Sequence, residues 1–174
     1  CIDVLGISPS TLRMTLVYDI CHNIAKIEDH ILGGTRRTLC VHRKGATRAF
    51  PPHHPLVPED YADIGQPVLI PGDMGRYSYV LLGLHRAMDE TFGSACHGAG
   101  RMMSRNQAMK AARGRSIARE LHEHGIIVRA AGRETLSEEM PDAYKDVAQV
   151  VDTVTRAGLA KKVVRLRPLG VIKG

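Results

Sequence analysis

The run Cys96-His97-Gly98-Ala99-Gly100, with Arg101 and Arg105 behind it, is the part of the chain with the clearest chemical content. Glycine and alanine let a ligand approach the main chain and leave its N–H groups free to donate. Arg101 and Arg105, four residues apart, would share one face of a helix beginning here, and the N-terminus of that helix would favour an anion. The stretch therefore describes a phosphate site beside an imidazole, or, without a ligand, a plain turn ahead of a helix. Adjacent side chains on an extended segment point to opposite faces, so His97 is badly placed to serve Cys96 as a base. Cys96 reads as packing and His97 as the reactive group.

Other elements must position that group. Residues 14–20 are rich in β-branched and apolar side chains and read as a strand ending before His22-Asn23. Residues 24–31, then Gly33-Gly34, then residues 38–42 read as a β-hairpin. Ile24, Ile27 and Ile31 also fit a helical stripe, but the clear strand that follows favours the hairpin. Residues 43–48 form a basic loop, either solvated surface or the footprint of a polyanion. Pro51-Pro52-His53-His54-Pro55 reads as a rigid turn.

Val68-Leu69-Ile70 is a short strand ending at Pro71-Gly72-Asp73-Met74-Gly75, with a second strand over residues 77–82. Their connection is either an ordinary hairpin loop or a set of backbone donors for phosphates or a base edge. Residues 104–112 and 116–124 read as helices interrupted near Gly114, with His122 and His124 on the surface. Residues 126–130 form a strand, and Thr135 with Glu138 fits a capping box. Pro141 is expected to open a helix carrying Val147, Val150, Val151 and Val154, which Gly158 stops. Residues 162–166 form a strand, and Pro168 ends it before the tail. Neither a repeat nor a linker interrupts this order, so the chain reads as one α+β domain of β-hairpins and mixed sheet with helices.

Composition narrows the function. The 174 residues hold 24 Lys+Arg against 18 Asp+Glu, a formal charge of +6 that suits a polyanionic partner such as RNA. Five Tyr, two Phe and no Trp argue against a binder built on base-stacking platforms. Cys1, Cys21, Cys40 and Cys96 form no Cys-x-x-Cys pair, so a reducing cytoplasm is expected rather than a zinc ribbon or a secreted disulfide module. No apolar run is long enough to span a bilayer. Cys1 without a Met suggests the C-terminal piece of something longer, and is also the residue expected directly after an intein excision point.

Several blocks taken together resemble the RtcB family of RNA-splicing ligases. They are Tyr18-Asp19-x-x-His22-Asn23-Ile24-Ala25-Lys26, Val41-His42-Arg43-Lys44-Gly45-Ala46-Thr47-Arg48-Ala49-Phe50-Pro51-Pro52 and Pro71-Gly72-x-Met74-Gly75. Cys96-His97-Gly98-Ala99-Gly100-Arg101, Ala143-Tyr144-Lys145-Asp146-Val147 and the terminal Val171-Ile172-Lys173-Gly174 complete the set, in the family's order.

The resemblance implies joining of an RNA end bearing a 2′,3′-cyclic phosphate or 3′-phosphate to a 5′-hydroxyl end, using GTP and Mn²⁺, through a histidine–GMP intermediate. It makes His97 the guanylylated residue, His22 a manganese ligand, and His22 with Asn23 nucleotide contacts. Pro71, Gly72, Asp73, Met74, Ser78, His97, Gly98, Ala99, Gly100 and Lys173 would hold GTP, with Tyr144 beside the guanine. Lys44, Arg101 and Arg105 would contact phosphate or RNA. Lys173 has that role only if the tail folds back; otherwise it is a frayed basic end.

Two departures from the family pattern stand out. Asp73 replaces a typical Ser, bringing a carboxylate that could accept from guanine but also repel a polyphosphate. The family's N-terminal half, with an Asp, a Cys and further His ligands, is absent, so the expectation is a C-terminal catalytic part inactive alone. Its expected partners are cleaved RNA such as tRNA halves, that N-terminal half and an archease-type activator, with no membrane. A GTP- or RNA-binding fragment without turnover is the alternative, and a metal-dependent phosphatase is disfavoured because few carboxylates lie near His22 or His97.

Overall fold

The computed structural model of the chain describes residues 2–173. Cys1 and Gly174, on which the excision reading and the last tail residue fall, lie outside the described residues. Two short helices, α1 (Ile2–Leu5) and α2 (Pro9–Leu12), open the chain, the second capped by Ser8, whose Oγ accepts from Thr11 N–H at 3.2 Å. The expected strand over residues 14–20 does not form. Leu16 and Val17 lie exposed there, and a β-forming sequence becomes a strand only where a neighbour completes its ladder.

The hairpin is present and excludes the helical alternative. β1 (Asn23–Leu32) and β2 (Thr35–Lys44) pair antiparallel from Asn23↔Lys44 to Leu32↔Thr35. Gly33 and Gly34 turn the chain with φ of 56° and 79°, the positive values that a two-residue hairpin loop demands. Alternation buries Glu28 and His30 and turns Ile27 and Ile31 outward.

The expected basic loop over residues 43–48 is largely strand instead. Arg43 belongs to β2, and after Gly45 the chain enters β3 (Ala46–Arg48), which pairs with β6 (Ser94–Cys96). Arg43 is drawn inward because Glu28 waits on the same face. Its Nη1 and Nη2 donate to the two Glu28 oxygens at 2.9 and 2.7 Å, and its Nε donates to Ser94 Oγ at 2.9 Å.

A three-stranded antiparallel sheet in the order β4 (Pro67–Pro71), β5 (Ser78–Gly83), β8 (Ala160–Leu166) carries the first core. Between β5 and β6, α3 (His85–Thr91) buries Ala87 in this core. Val68, Ile70 and Leu81 pack with Val147, Val151 and Val154 of helix α7 (Val147–Arg156). Val150 is only partly buried. That helix starts later than the sequence suggests. Pro141 opens a separate 3-10 turn (Pro141–Ala143), and Asp146 caps α7 by accepting from Ala148 N–H at 2.8 Å. Gly158, at φ 71°, follows its end.

The second core joins α4 (Arg105–Ala111), α5 (Ile117–Glu123) and α6 (Arg133–Glu138) through Ala108, Ile117, Leu121, Leu136 and Met140. Thr135 and Glu138 sit inside α6 rather than capping it, because the chain is already helical from Arg133. The capping box instead belongs to Ser104 and Gln107 at the start of α4. β7 (Ile127–Ala130) pairs in parallel with β9 (Gly170–Lys173), so the tail is docked rather than frayed. Among the described residues no helix is long and apolar enough to cross a membrane.

The buried Glu28–Arg43 pair yields a test. Burial pushes the Glu28 carboxyl up, but the Arg43 hydrogen bonds and charge outweigh this and hold it below its ordinary value. Its stabilisation is therefore complete above the unfolded-state pKa and lost as pH falls through the lower folded-state value. Arg43→Ala removes the bidentate partner of a buried carboxylate, leaving it His30 at 3.3 Å and Arg48 at 3.9 Å, and is expected to cost about 3 kcal/mol in urea unfolding at neutral pH. A loss below about 1 kcal/mol, the level of an exposed pair, would contradict this account.

Candidate functional site

The base of the hairpin brings the first group of residues together. The β1–β2 register sets Asn23 against Lys44, and Gly45 N–H donates to the His22 carbonyl at 3.1 Å. Ala46 then pairs with Cys96, which delivers His97 to the same place from the other side of β3. The His22 and His97 rings stack, with centroids 4.5 Å apart and planes 9° from parallel. Gly45, at φ 73°, lies along the edge of the His97 ring; a Cβ there would sit 3.7 Å from Nε2.

Burial, the His22 ring and the Lys44 charge all hold the His97 imidazole below its usual pKa. A neutral ring keeps an unprotonated nitrogen, which can attack an electrophile or ligate a metal. Cys96 behaves as expected of packing: it lies against the first core, and burial pushes its thiol up.

From His97 the chain crosses to the second group. Gly98 lies close to the Pro71 carbonyl, and Ala99 N–H donates to that carbonyl at 3.0 Å. Gly100 accepts from Lys145 N–H at 3.0 Å, and Arg101 forms a β-bridge with Tyr144. Arg101 and Arg105 therefore do not share a helix face, since only Arg105 belongs to α4.

The loop after β4 is held from within. Asp73 Oδ1 accepts from the N–H groups of Gly75 and Arg76 at 2.9 and 3.0 Å, and Oδ2 lies 2.8 Å from Arg76 Nε. The Asp73 side chain is fully buried. The feared repulsion of a polyphosphate is thus balanced locally by Arg76, and the carboxylate organises its own loop. Met74 is buried in the second core, while Ile70 lies in the first, so this loop spans the two.

A cleft of about 340 Å³ opens beside the loop, lined among others by Asp73, Ser78, Glu139, Tyr144 and Lys173. Pro71, Gly72 and Met74 complete its loop wall. Of the residues expected to hold the nucleotide, Pro71, Gly72, Asp73, Met74, Ser78, Tyr144 and Lys173 line this cleft, whereas His22, Asn23, His97, Gly98, Ala99 and Gly100 are not part of its lining.

Glu139 escaped the sequence reading. Its Oε2 accepts from the Tyr144 hydroxyl and lies 3.9 Å from Lys173 Nζ, while its Oε1 faces Arg101 Nη1 at 3.1 Å and Arg105 Nη1 at 3.0 Å. Arg105 also donates to Glu138 Oε2 at 2.6 Å. Both arginines expected to meet phosphate are accordingly held by carboxylates. The only local signal was the acidic pair Glu138-Glu139 before Met140-Pro141. Nothing in its spacing announces partners 34 to 38 positions away.

The metal reading finds too few donors among the described residues. Among the described residues no group of three or more His, Cys, Asp or Glu side chains could hold a metal ion. His22 offers one imidazole, and no carboxylate joins it. The donor set in this chain does not by itself fit a manganese site, which favours oxygen ligands.

Close packing behind the loop makes a second test. A Cβ at Gly72 would collide with the Tyr77 carbonyl oxygen and fall 2.8 Å from Val147 Cγ1. Gly72→Ala is expected to cost about 1–3 kcal/mol of unfolding free energy. Gly170→Ala, where a Cβ would make only ordinary contact with the Ile127 carbonyl oxygen at 3.5 Å, should stay within about 0.5 kcal/mol of the parent chain. Equal midpoints for the two variants in thermal unfolding would refute the close approach at residue 72.

Known proteins give these features a context. Residues 2–174 match the family model described as tRNA-splicing ligase RtcB. Proteins named tRNA-splicing ligase RtcB from Archaeoglobus fulgidus and Pyrococcus abyssi are 58% and 55% identical over 98% and 99% of this chain. That from Methanocaldococcus jannaschii is 52% identical over 99%. The chain spans 36%, 19% and 18% of the lengths of these three relatives. The imidazole pair, the small-residue segment and the cleft beside it are those of a chain that belongs to the RtcB family.

Proposed function

We propose that this chain is the C-terminal, nucleotide-binding part of a GTP- and Mn²⁺-dependent RNA ligase, with His97 as the residue that becomes guanylylated. The observation that carries the reading is the main-chain contact between the His97 segment and the Pro71 loop. It ties the segment that carries a neutral imidazole to the loop that lines the cleft.

In this reading an unprotonated His97 nitrogen attacks the α-phosphorus of GTP, forming a P–N bond as pyrophosphate leaves. Residues 98–100 supply small side chains that let the phosphates approach, the Ala99 N–H itself being committed to the Pro71 carbonyl. Ser78, Tyr144, Lys173 and the Pro71 loop hold the nucleoside. His22 would supply one imidazole to manganese, and the other ligands would come from the N-terminal half of the parent ligase. Lys44, with Arg101 and Arg105 once phosphate competes for them, contacts RNA. The substrate is a cleaved RNA such as tRNA halves, joined in the cytoplasm with an archease-type activator.

The incomplete metal donor set favours a second reading for the chain in isolation, namely binding of GTP or RNA without turnover. One experiment separates the two. The chain is incubated with labelled GTP and Mn²⁺, with and without a separately supplied N-terminal portion, and the His97 peptide is weighed. GMP is expected on His97 only when both parts are present, and His97→Ala should abolish it. If the parts associate and no adduct forms, the ligase reading fails and the binding reading stands.

A further inference from the structure

The carboxylate of Glu139 gathers residues from four separate places in the chain. Tyr144 follows the 3-10 turn, Arg101 leaves the His97 segment, Arg105 begins α4, and Lys173 ends β9. Tyr144 and Arg101 are themselves linked, with Arg101 Nη1 donating to the Tyr144 hydroxyl at 3.0 Å and the guanidinium lying 5.0 Å from the ring centroid. Arg101 Nη2 also donates to the Glu138 carbonyl at 2.6 Å, which fixes the guanidinium from a second side.

The Glu139 side chain retains 15% exposure, so its bonds operate partly shielded from water. Without it, Arg105 would keep the Glu138 carboxylate, but Arg101 and Lys173 would lose the carboxylate that lies between them and Tyr144 the acceptor of its hydroxyl.

We propose that Glu139 is a positioning residue of the nucleotide cleft: its ionised carboxylate fixes the Tyr144 hydroxyl and draws Lys173 of the docked tail to the cleft wall. This rests on the reading of the cleft as a GTP site. Glu139 acts through Tyr144 and Lys173, which line the cleft opposite the Pro71 loop. The electrostatics agree in direction. Burial pushes Glu139 up, but the Tyr144 hydrogen bond and the charges of Lys173, Arg101 and Arg105 together hold it low. Tyr144 is raised by burial and then by the Glu139 hydrogen bond and charge, with Arg101 opposing.

The test compares the chain with its Glu139→Gln and Glu139→Asp variants, in the presence of the N-terminal portion of the parent ligase. Two readouts are followed: titration of Tyr144 by tyrosinate absorbance, assigned with a Tyr144→Phe control, and affinity for a fluorescent GTP analogue. Glu139→Gln keeps an acceptor but removes the charge. It should bring the Tyr144 pKa down toward its ordinary value and weaken nucleotide binding about tenfold. Glu139→Asp restores the charge and should recover part of both.

An unchanged Tyr144 titration in Glu139→Gln overturns the proposal outright. A shifted titration with unchanged nucleotide affinity also overturns it, leaving a purely structural cluster while the GTP reading survives. Failure of the unsubstituted protein to bind the analogue overturns the GTP reading and the proposal together.

Discussion

The donation of Ala99 N–H to the Pro71 carbonyl at 3.0 Å is the contact on which the arrangement of the site depends. The distance is that of an ordinary main-chain hydrogen bond; what glycine adds is the turn just after it, where Gly100 has a φ of 76°. On one side of the contact the chain leads back to His97 and the base of the hairpin. On the other, the Pro71 loop runs from Ile70 in the first core to Met74 in the second. Both cores are therefore registered against the imidazole through one short stretch of backbone.

Charge follows the same logic of mutual placement. A formal charge of +6 leads one to expect arginines in solvent, and Arg36, Arg105 and Arg119 are mostly exposed. Carboxylates nonetheless organise the others: Arg43 is sealed against Glu28, Arg76 neutralises the buried Asp73, and Arg101 converges with Arg105 on Glu138 and Glu139. Desolvated guanidinium groups need fixed acceptors, and their planar fork binds carboxylates with defined direction. The resulting pairs act as braces between elements distant in sequence. Any phosphate that reaches Arg101 or Arg105 must compete with carboxylates already in place.

Local chemistry made the hairpin legible, because Gly33-Gly34 between β-forming runs has one common backbone solution. The strands β4, β5 and β8 were legible for a similar reason, as short apolar runs closed by proline or glycine. Helix starts were read less well. Thr135 and Glu138 have a capping-box spacing yet lie within α6, and Pro141 begins only a 3-10 turn because Asp146 supplies the cap of α7. Residues 14–20 have a strand's composition without a strand's neighbour. Of the candidate site, His97, the Pro71 loop and the small-residue segment stood out by residue type, while Glu139, Arg76 and Gly45 did not.

The sequence by itself determined which residues could do chemistry, the α+β class and the family, since these follow from residue types at short spacing and from ordered blocks. Tertiary structure alone decided that His22 stacks on His97, that the tail returns as a parallel strand beside β7, and that one carboxylate holds Tyr144, Arg101, Arg105 and Lys173. Such contacts join positions up to 75 residues apart. The reason is physical: a side chain's spacing fixes its face on its own element, but its partner is chosen only when separate elements pack and buried charges must find acceptors.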